Sequence, residues 1–149
     1  ASTMFKNDAG VSFPVSVTYT NTDATFANSF DDDGDYWGLV ADGDDVPYVP
    51  DSSLRFVAGF VMTNGLSGNL RLVSNGSSCS TAACGTYQTI DAHKYMDVSL
   101  RKAMNENLDV YLVIENVLDS EDDVVARAPK DGARGLKPST MKIGFSYNF

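Results

Sequence analysis

The chain has 149 residues, enough for a sizeable core, and a formal net charge of −9 from 11 basic and 20 acidic residues. This acidity argues against a general nucleic-acid binder, which needs a basic surface, so no nucleic-acid partner is expected. No apolar run approaches the roughly 20 residues of a membrane-spanning helix, which argues against a helical membrane protein. A transmembrane β-barrel stays open, because its strands need only about 10 residues with alternate ones apolar.

The first predicted strand covers 11–20, where apolar and polar residues alternate strictly. Pro14 cannot donate to a sheet ladder, so it is expected near a strand end or at a bulge. The apolar face of this strand carries Val11, Phe13, Val15, Val17 and Tyr19. The chain starts at Ala1 without a charged-then-apolar leader, as expected of a mature product or a fragment.

A long acidic loop is predicted over 21–51, a segment without Lys or Arg. Clustered carboxylates around a Gly-containing turn favour calcium, which points to a site at Asp31, Asp33 and Asp35, although the EF-hand spacing is absent. The alternative is a solvated acidic loop at a cell surface. Trp37 and Tyr48 can stack on a ligand, and Tyr48 is equally suited to be an interfacial anchor. Further carboxylates in this loop are Asp32, Asp42, Asp44, Asp45 and Asp51.

Five more two-faced strands are predicted further along the chain. Asn64-Gly65 and the polar residues 105–107 mark tight turns within this series. The charged residues of the strands are assigned to the polar face. The predicted ranges are 53–62, 68–75, 90–102, 107–118 and 139–149.

Cys79 and Cys84 lie five positions apart in a stretch rich in small residues. This spacing in a loop favours a small disulfide-closed loop formed in an oxidising compartment. Two unpaired thiols are the alternative, and a metal site is disfavoured because His93 is the single available soft partner. His93 is also the single histidine that can act as a haem or metal ligand.

The connections alternate in length. Long polar loops are predicted over 21–51, 76–89 and 119–138, and short turns join the other strands. Short turns on one side and long loops on the other are the layout of an outer-membrane barrel. A secreted β-sandwich that acts as a binding or adhesion module explains the alternation equally well.

Several segments resemble a known family. The predicted strand 107–118 closes with Glu115-Asn116-Val117-Leu118-Asp119, a near match to the Asn-Leu-Phe-Asp-like motif of TonB-dependent outer-membrane receptors. The segment 45–51 is similar to the re-entry segment of these receptors, and 124–129 and 132–135 resemble the ferric-citrate branch. The final strand resembles the signal read by the barrel-assembly machinery, through Phe145, Tyr147 and Phe149.

The resemblance implies an all-β fold, an antiparallel transmembrane β-barrel segment that forms the last six strands of a 22-stranded plugged barrel. It implies import of a ferric siderophore or ferric citrate across the outer membrane of a Gram-negative bacterium. The implied partners are the remaining barrel and plug, the TonB-ExbB-ExbD system, the barrel-assembly machinery and lipopolysaccharide or lipid. No cofactor is expected beyond calcium and the iron chelate that is the cargo.

Two arginines of the last loop, Arg127 and Arg134, are candidates to contact an anionic iron chelate, because arginine binds carboxylates bidentately. Ordinary loop charge is the alternative. A passive porin is a further barrel alternative. The sequence offers no nucleophile elbow, zinc-protease motif or phosphate loop, so an enzyme is not expected.

Overall fold

The computed structural model describes residues 1–32, 38–85, 87–120, 124–128 and 132–149. Every regular element among them is a β-strand. No helix long and apolar enough to cross a membrane occurs in these ranges. The fold is therefore all-β and antiparallel, as the alternating sequence predicts.

Seven strands form one sheet in the order β1-β2-β5-β6-β9-β10-β13, and each is antiparallel to its neighbours. Three pairs of short strands form separate hairpins, β3–β4, β7–β8 and β11–β12. The sheet strands are β1 (Ser2–Lys6), β2 (Ser12–Asn21), β5 (Ser52–Val61), β6 (Leu66–Asn75), β9 (His93–Ala103), β10 (Leu108–Glu115) and β13 (Thr140–Tyr147). The hairpin strands are β3 (Phe30–Asp32), β4 (Gly38–Val40), β7 (Ser78–Cys79), β8 (Thr89–Ile90), β11 (Val124–Ala128) and β12 (Gly132–Gly135).

The predicted count of six strands is one too few, because β1 precedes the first predicted strand. β1 pairs with β2 through a tight turn in which Gly10 has a φ of 76° and the Asn7 side chain accepts the Val11 N–H at 2.9 Å. The first predicted strand corresponds to β2. The open edges of the sheet are therefore β1 and β13.

The short turns and long connections lie at opposite ends of the strands. Residues 7–11, 62–65 and 104–107 make the turns at one end, which we call the turn edge. The connections that contain the three extra hairpins all leave the other end, which we call the loop edge. This separation follows from antiparallel pairing of consecutive strands.

The sheet has one apolar face and one polar face, because paired residues share a face and successive residues alternate. Many side chains of the apolar face are exposed, with Ile143 at 71% and Phe145 at 74%. The apolar face includes Val15, Val17, Phe56, Phe60, Leu70, Leu72, Val98, Leu100, Leu112, Ile143 and Phe145. The polar face includes Ser16, Arg55, Asn69, Arg71, Asp97, Ser99, Arg101, Asp109 and Lys142.

No second sheet packs against the seven-stranded sheet in the described ranges, which contradicts the predicted β-sandwich alternative. The accessible surface is 9856 Å² for 16.1 kDa. A compact chain of this mass exposes about 7,400 Å². The larger accessible surface is expected of a single-layered sheet, because both of its faces are uncovered.

Two lysines correct the prediction that strand charges avoid the apolar face. Lys94 lies opposite Ser74, and Lys102 lies opposite Leu66 and Val110. Both residues sit near the ends of β9, where a long lysine stem can carry its ammonium away from apolar surroundings.

Pro14 is the third residue of β2. It pairs with Met4 of β1, and the paired positions of β2 and β5 skip Phe13 and Pro14. This interruption is expected where a residue has no N–H to donate.

Candidate functional site

The loop edge holds the most buried side chains of the protein. Among the described residues, the buried ones all lie in the loops and hairpins of this edge, whereas the strand side chains are half-buried or exposed. The loops at this edge thus contain fully covered side chains, which the seven-stranded sheet does not. The buried apolar residues are Val40, Pro47, Cys79, Ala82 and Ile90, and the buried polar residues are Ser80 and Asn116.

Backbone hydrogen bonds tie the first long loop to the second. The Tyr48 N–H donates to the Cys79 carbonyl at 2.7 Å, and the Asp51 N–H donates to the Ser77 carbonyl at 3.1 Å. The Ser77 hydroxyl also donates to the Asp51 carboxylate at 3.2 Å. These contacts hold the predicted re-entry segment 45–51 against the hairpin β7–β8.

A disulfide joins Cys79 and Cys84, with Cα atoms 5.3 Å apart. It closes a short loop beside β8, and the Ser80 N–H donates to the Gln88 carbonyl at 2.9 Å across the same loop. Cys79 is therefore both the end of the covalent loop and the acceptor for Tyr48. The predicted disulfide is present.

The near-match motif at 115–119 organises the end of β10. Asn116 is 4% exposed and has a φ of 50°. Its N–H donates to Asp97 at 3.0 Å, and its side-chain amide donates to the Lys137 carbonyl at 2.8 Å. Its side-chain oxygen accepts the Ser120 hydroxyl at 3.1 Å. Asn116 thereby connects β9 with the chain that leads into β13.

Asp119 completes the same turn. Its N–H donates to the Asn116 carbonyl at 2.9 Å, and its carboxylate accepts the Ser139 N–H at 2.9 Å. The side chains of Asn116 and Asp119 therefore both form hydrogen bonds with backbone groups. Sequence reasoning singled out this motif but gave its residues no structural role.

Ion pairs cross the polar face between neighbouring strands. Arg71 donates to Asp97 through Nε at 3.1 Å, and Arg101 donates to Asp109 at 2.5 Å. The Arg71 guanidinium also lies over the Tyr95 ring, 5.9 Å from its centroid. Each of these two ion pairs therefore links neighbouring strands of the sheet.

Glu115 binds two lysines at the loop edge. Lys137 donates to it at 2.9 Å, and Lys142 donates to its other oxygen. The hydrogen bond to Glu115 raises the pKa of Lys137 above its ordinary value. Lys137 thus stays charged in the loop just before β13.

The residues that the sequence predicts as ligand contacts lie in different segments of the structure. Tyr48 is 48% exposed and lies against the disulfide loop. His93 starts β9, with Nε2 3.3 Å from the Asn75 amide and Nδ1 3.2 Å from the Asp91 carbonyl. The Asn75 amide oxygen accepts the Ser53 hydroxyl at 3.1 Å, so His93 belongs to a cross-strand hydrogen-bonded row.

The remaining predicted contacts belong to other segments. Arg134 is exposed on β12, opposite Ala126 of β11. Arg127 pairs with Ala133 in the same hairpin, and its side chain lies outside the described part of the chain. Trp37 lies outside the described residues. β11 lies against β8, so the last hairpin meets the disulfide hairpin at the loop edge.

The predicted calcium site falls mostly outside the described residues, which include Asp31 but not Asp33 or Asp35. Asp31 is exposed on β3 opposite Leu39. No group of three His, Cys, Asp or Glu side chains suited to a metal ion occurs among the residues that the structure describes.

Two cavities offer contact surfaces. A cavity of about 340 Å³ at the loop edge is lined by Asp23, Asp45 and Asp51, together with hydroxyl residues and the disulfide. A depression of about 420 Å³ on the polar face is lined by Arg55, Arg71 and other residues of neighbouring strands. Both can take a polar molecule, and sequence reasoning had found neither.

Comparison with models of protein families gives no match, and neither does comparison with curated proteins. Solved structures do match. The siderophore receptor PiuA from Acinetobacter baumannii has 15% identity and a TM-score of 0.74, over 98% of this chain and 20% of that chain. The ferric-catecholate import receptor Fiu from K12 E. coli, in its closed form, has 22% identity and a TM-score of 0.66, over 98% of this chain and 23% of that chain.

The fold of this chain is similar to that of a segment of each of these two receptors. The likeness extends over nearly the whole chain, and the chain spans less than a quarter of either receptor. At these identities the likeness establishes the fold. Both neighbours are receptors rather than enzymes, in agreement with the prediction from the sequence.

Proposed function

We propose that this chain forms part of the barrel wall and loops of a TonB-dependent receptor in the outer membrane of a Gram-negative bacterium. The receptor imports a ferric siderophore or a ferric citrate-like chelate. The observation that carries the proposal is the TM-score of 0.74 with a siderophore receptor over 98% of the chain.

The two faces of the sheet have the chemistry that this role needs. In lipid every backbone polar group needs a partner, so a membrane-spanning sheet must close on itself. The apolar face would contact lipid, and lipopolysaccharide near the loop edge. The polar face would line the interior and contact a plug domain. The two sheet edges, β1 and β13, would pair with other strands of the barrel.

The loop edge would face the cell exterior and contribute part of the ligand site. Among the proposed ligand contacts, His93 belongs to a cross-strand hydrogen-bonded row, and Tyr48 and Arg134 are exposed. Trp37 and Arg127 remain proposed contacts on the strength of their residue types. Calcium at Asp31, Asp33 and Asp35 remains a proposal for the acidic loop.

Energy for import would come from the TonB-ExbB-ExbD system acting on the plug. The barrel-assembly machinery would read Phe145, Tyr147 and Phe149 during insertion. The alternating apolar side chains of β13, which include Ile143 at 71% exposure, support a lipid-facing final strand.

Uptake of radioactive iron tests the proposal. Cells with and without the gene are given ferric siderophores or ferric citrate at a limiting concentration, each in a TonB-positive and a TonB-negative background. We expect uptake that requires both the gene and TonB. Uptake that continues without TonB would instead indicate a passive porin.

Membrane insertion is tested separately by gel mobility of unheated and heated protein from outer-membrane fractions. A folded barrel runs differently before and after heating. A protein that stays folded in water without detergent would contradict the proposed membrane role.

A further inference from the structure

The apolar face carries a groove of about 300 Å³ on β5, β6 and β9. The groove lies beside Phe60 and Leu100, which pack over the backbone of Gly68, and next to the small side chain of Ala58. A Cβ atom at Gly68 would lie 2.6 Å from Leu100 Cδ2 and 2.7 Å from Phe60 Cε1, so these side chains lean over the glycine. Ala58 leaves the space beside them open. The apolar side chains that line the groove are Phe13, Ala58, Phe60, Leu70, Val98 and Leu100.

A cationic group lies on the same face beside this groove. Lys102 follows Leu100 by two residues on β9, a separation of about 7 Å along the strand. Its neighbours across the ladder are Leu66 and Val110. Its ammonium donates to the Asn64 carbonyl at 2.5 Å, which holds it at the turn edge.

The charge of Lys102 has no carboxylate against it within the described residues, in contrast to Arg71, Arg101 and Lys142. A hydrocarbon-lined groove with an unmatched ammonium further along the same face, at the turn edge, is complementary to an amphiphile with an anionic head. A free anion would leave the groove empty, and an uncharged lipid tail would leave the ammonium unmatched.

We propose that this groove binds an anionic phospholipid, with an acyl chain next to Ala58, beside Phe60 and Leu100, and the phosphate at Lys102. The inference rests on the proposed membrane-spanning role. It adds a specific lipid site on the turn-edge half of the apolar face. One lysine near an anionic lipid headgroup favours binding about five-fold.

Thermal unfolding of the protein purified in non-ionic detergent tests the site. Phosphatidylglycerol and phosphatidylethanolamine with identical acyl chains are titrated, because a ligand of the folded state raises the midpoint according to its affinity. We expect the wild type to bind phosphatidylglycerol about five-fold more tightly. Inorganic phosphate should give no rise, which separates a lipid from a free anion.

Three variants locate the binding. Lys102→Gln retains a donor for the Asn64 carbonyl but should bind both lipids equally. Lys94→Gln removes the lysine at the other end of β9 and should keep the wild-type preference. Ala58→Phe fills the groove and should weaken binding of both lipids, and Ile143→Phe adds volume elsewhere on the face as its control.

Equal affinity of the wild type for both lipids would overturn the proposal, as would identical effects of the Lys102 and Lys94 variants. Native mass spectrometry of retained lipid gives a second readout that does not depend on unfolding. Failure of the lipid site leaves heat-modifiable mobility intact, whereas failure of the proposed membrane role abolishes that mobility difference.

Discussion

Arg71 on β6 and Asp97 on β9 lie directly opposite each other, and one oxygen of Asp97 accepts the Arg71 guanidinium. The other oxygen accepts the N–H of Asn116 at 3.0 Å. The Asp97 side chain is 15% exposed. One carboxylate therefore joins two strands to the turn after a third.

Replacing this carboxylate should separate its two roles. Asp97→Asn keeps an oxygen that can accept the Asn116 N–H, whereas Asp97→Ala leaves both partners unmatched. We expect Asp97→Ala to lower the free energy of unfolding by about 1–3 kcal/mol, and Asp97→Asn by less. Urea unfolding of the protein reconstituted in lipid measures the difference. Equal losses would show that the Asn116 contact contributes nothing.

Adjacent residues on β10 test the assignment of the faces. Leu112 lies on the apolar face and Val113 on the polar face. A lysine substituted at one position therefore differs from a lysine at the other mainly in which face it occupies. We expect Leu112→Lys to destabilise the inserted protein by about 2–4 kcal/mol, the penalty for a charge facing lipid at mid-depth. Val113→Lys should be much milder. Folding yields in lipid vesicles report both, and similar yields would contradict a lipid-facing apolar side.

The turn at Asn116 should depend on two separable properties. Asn116→Gly keeps a residue that accepts a positive φ but loses the side-chain hydrogen bonds, whereas Asn116→Ala loses both properties. We expect Asn116→Ala to cost about 2–3 kcal/mol and to be worse than Asn116→Gly. Denaturant titration measures both. The reverse order would indicate that backbone conformation has no part in this turn.

Removal of the disulfide should increase the mobility of the loop 21–51 as well as that of the loop between Cys79 and Cys84. A closed loop of this length contributes about 2 kcal/mol in the chain-entropy view. Because Tyr48 binds the Cys79 carbonyl, Cys79→Ser with Cys84→Ser should speed cleavage within 41–51 by a protease specific for aspartate.

Trypsin provides the control in the same experiment, since the segment 21–51 contains no Lys or Arg. Its cleavage pattern elsewhere should change little. Unchanged aspartate-specific cleavage would show that the backbone contacts alone order the loop.

The sheet strands were largely predictable because alternation is a local property of each segment. β1 was not predicted, because Ser2–Lys6 is short and its two large apolar residues, Met4 and Phe5, lie on opposite faces. A signal for it existed in the turn residues Asn7 to Gly10, which precede the clear alternation of β2.

The loop edge was less predictable because its contacts join distant segments. The backbone bonds from Tyr48 to Cys79 and from Asp51 to Ser77 span 31 and 26 positions, and neither has a residue signature. The disulfide could be predicted from spacing alone. The role of Asn116 could not, because its partners come from β9 and from the connection between β10 and β13.

The segment 22–51 contains nine aspartates and no basic residue, so its charge of −9 equals that of the whole chain. The other residues balance, with 11 basic and 11 acidic side chains. Because the rest of the chain has no net charge, the long-range field of the chain comes mainly from this one loop, and it repels an approaching anion. Such a field reaches about 10 Å at moderate ionic strength. An anionic chelate would therefore arrive faster as salt or bound cations neutralise that loop, whereas a cationic one would arrive more slowly.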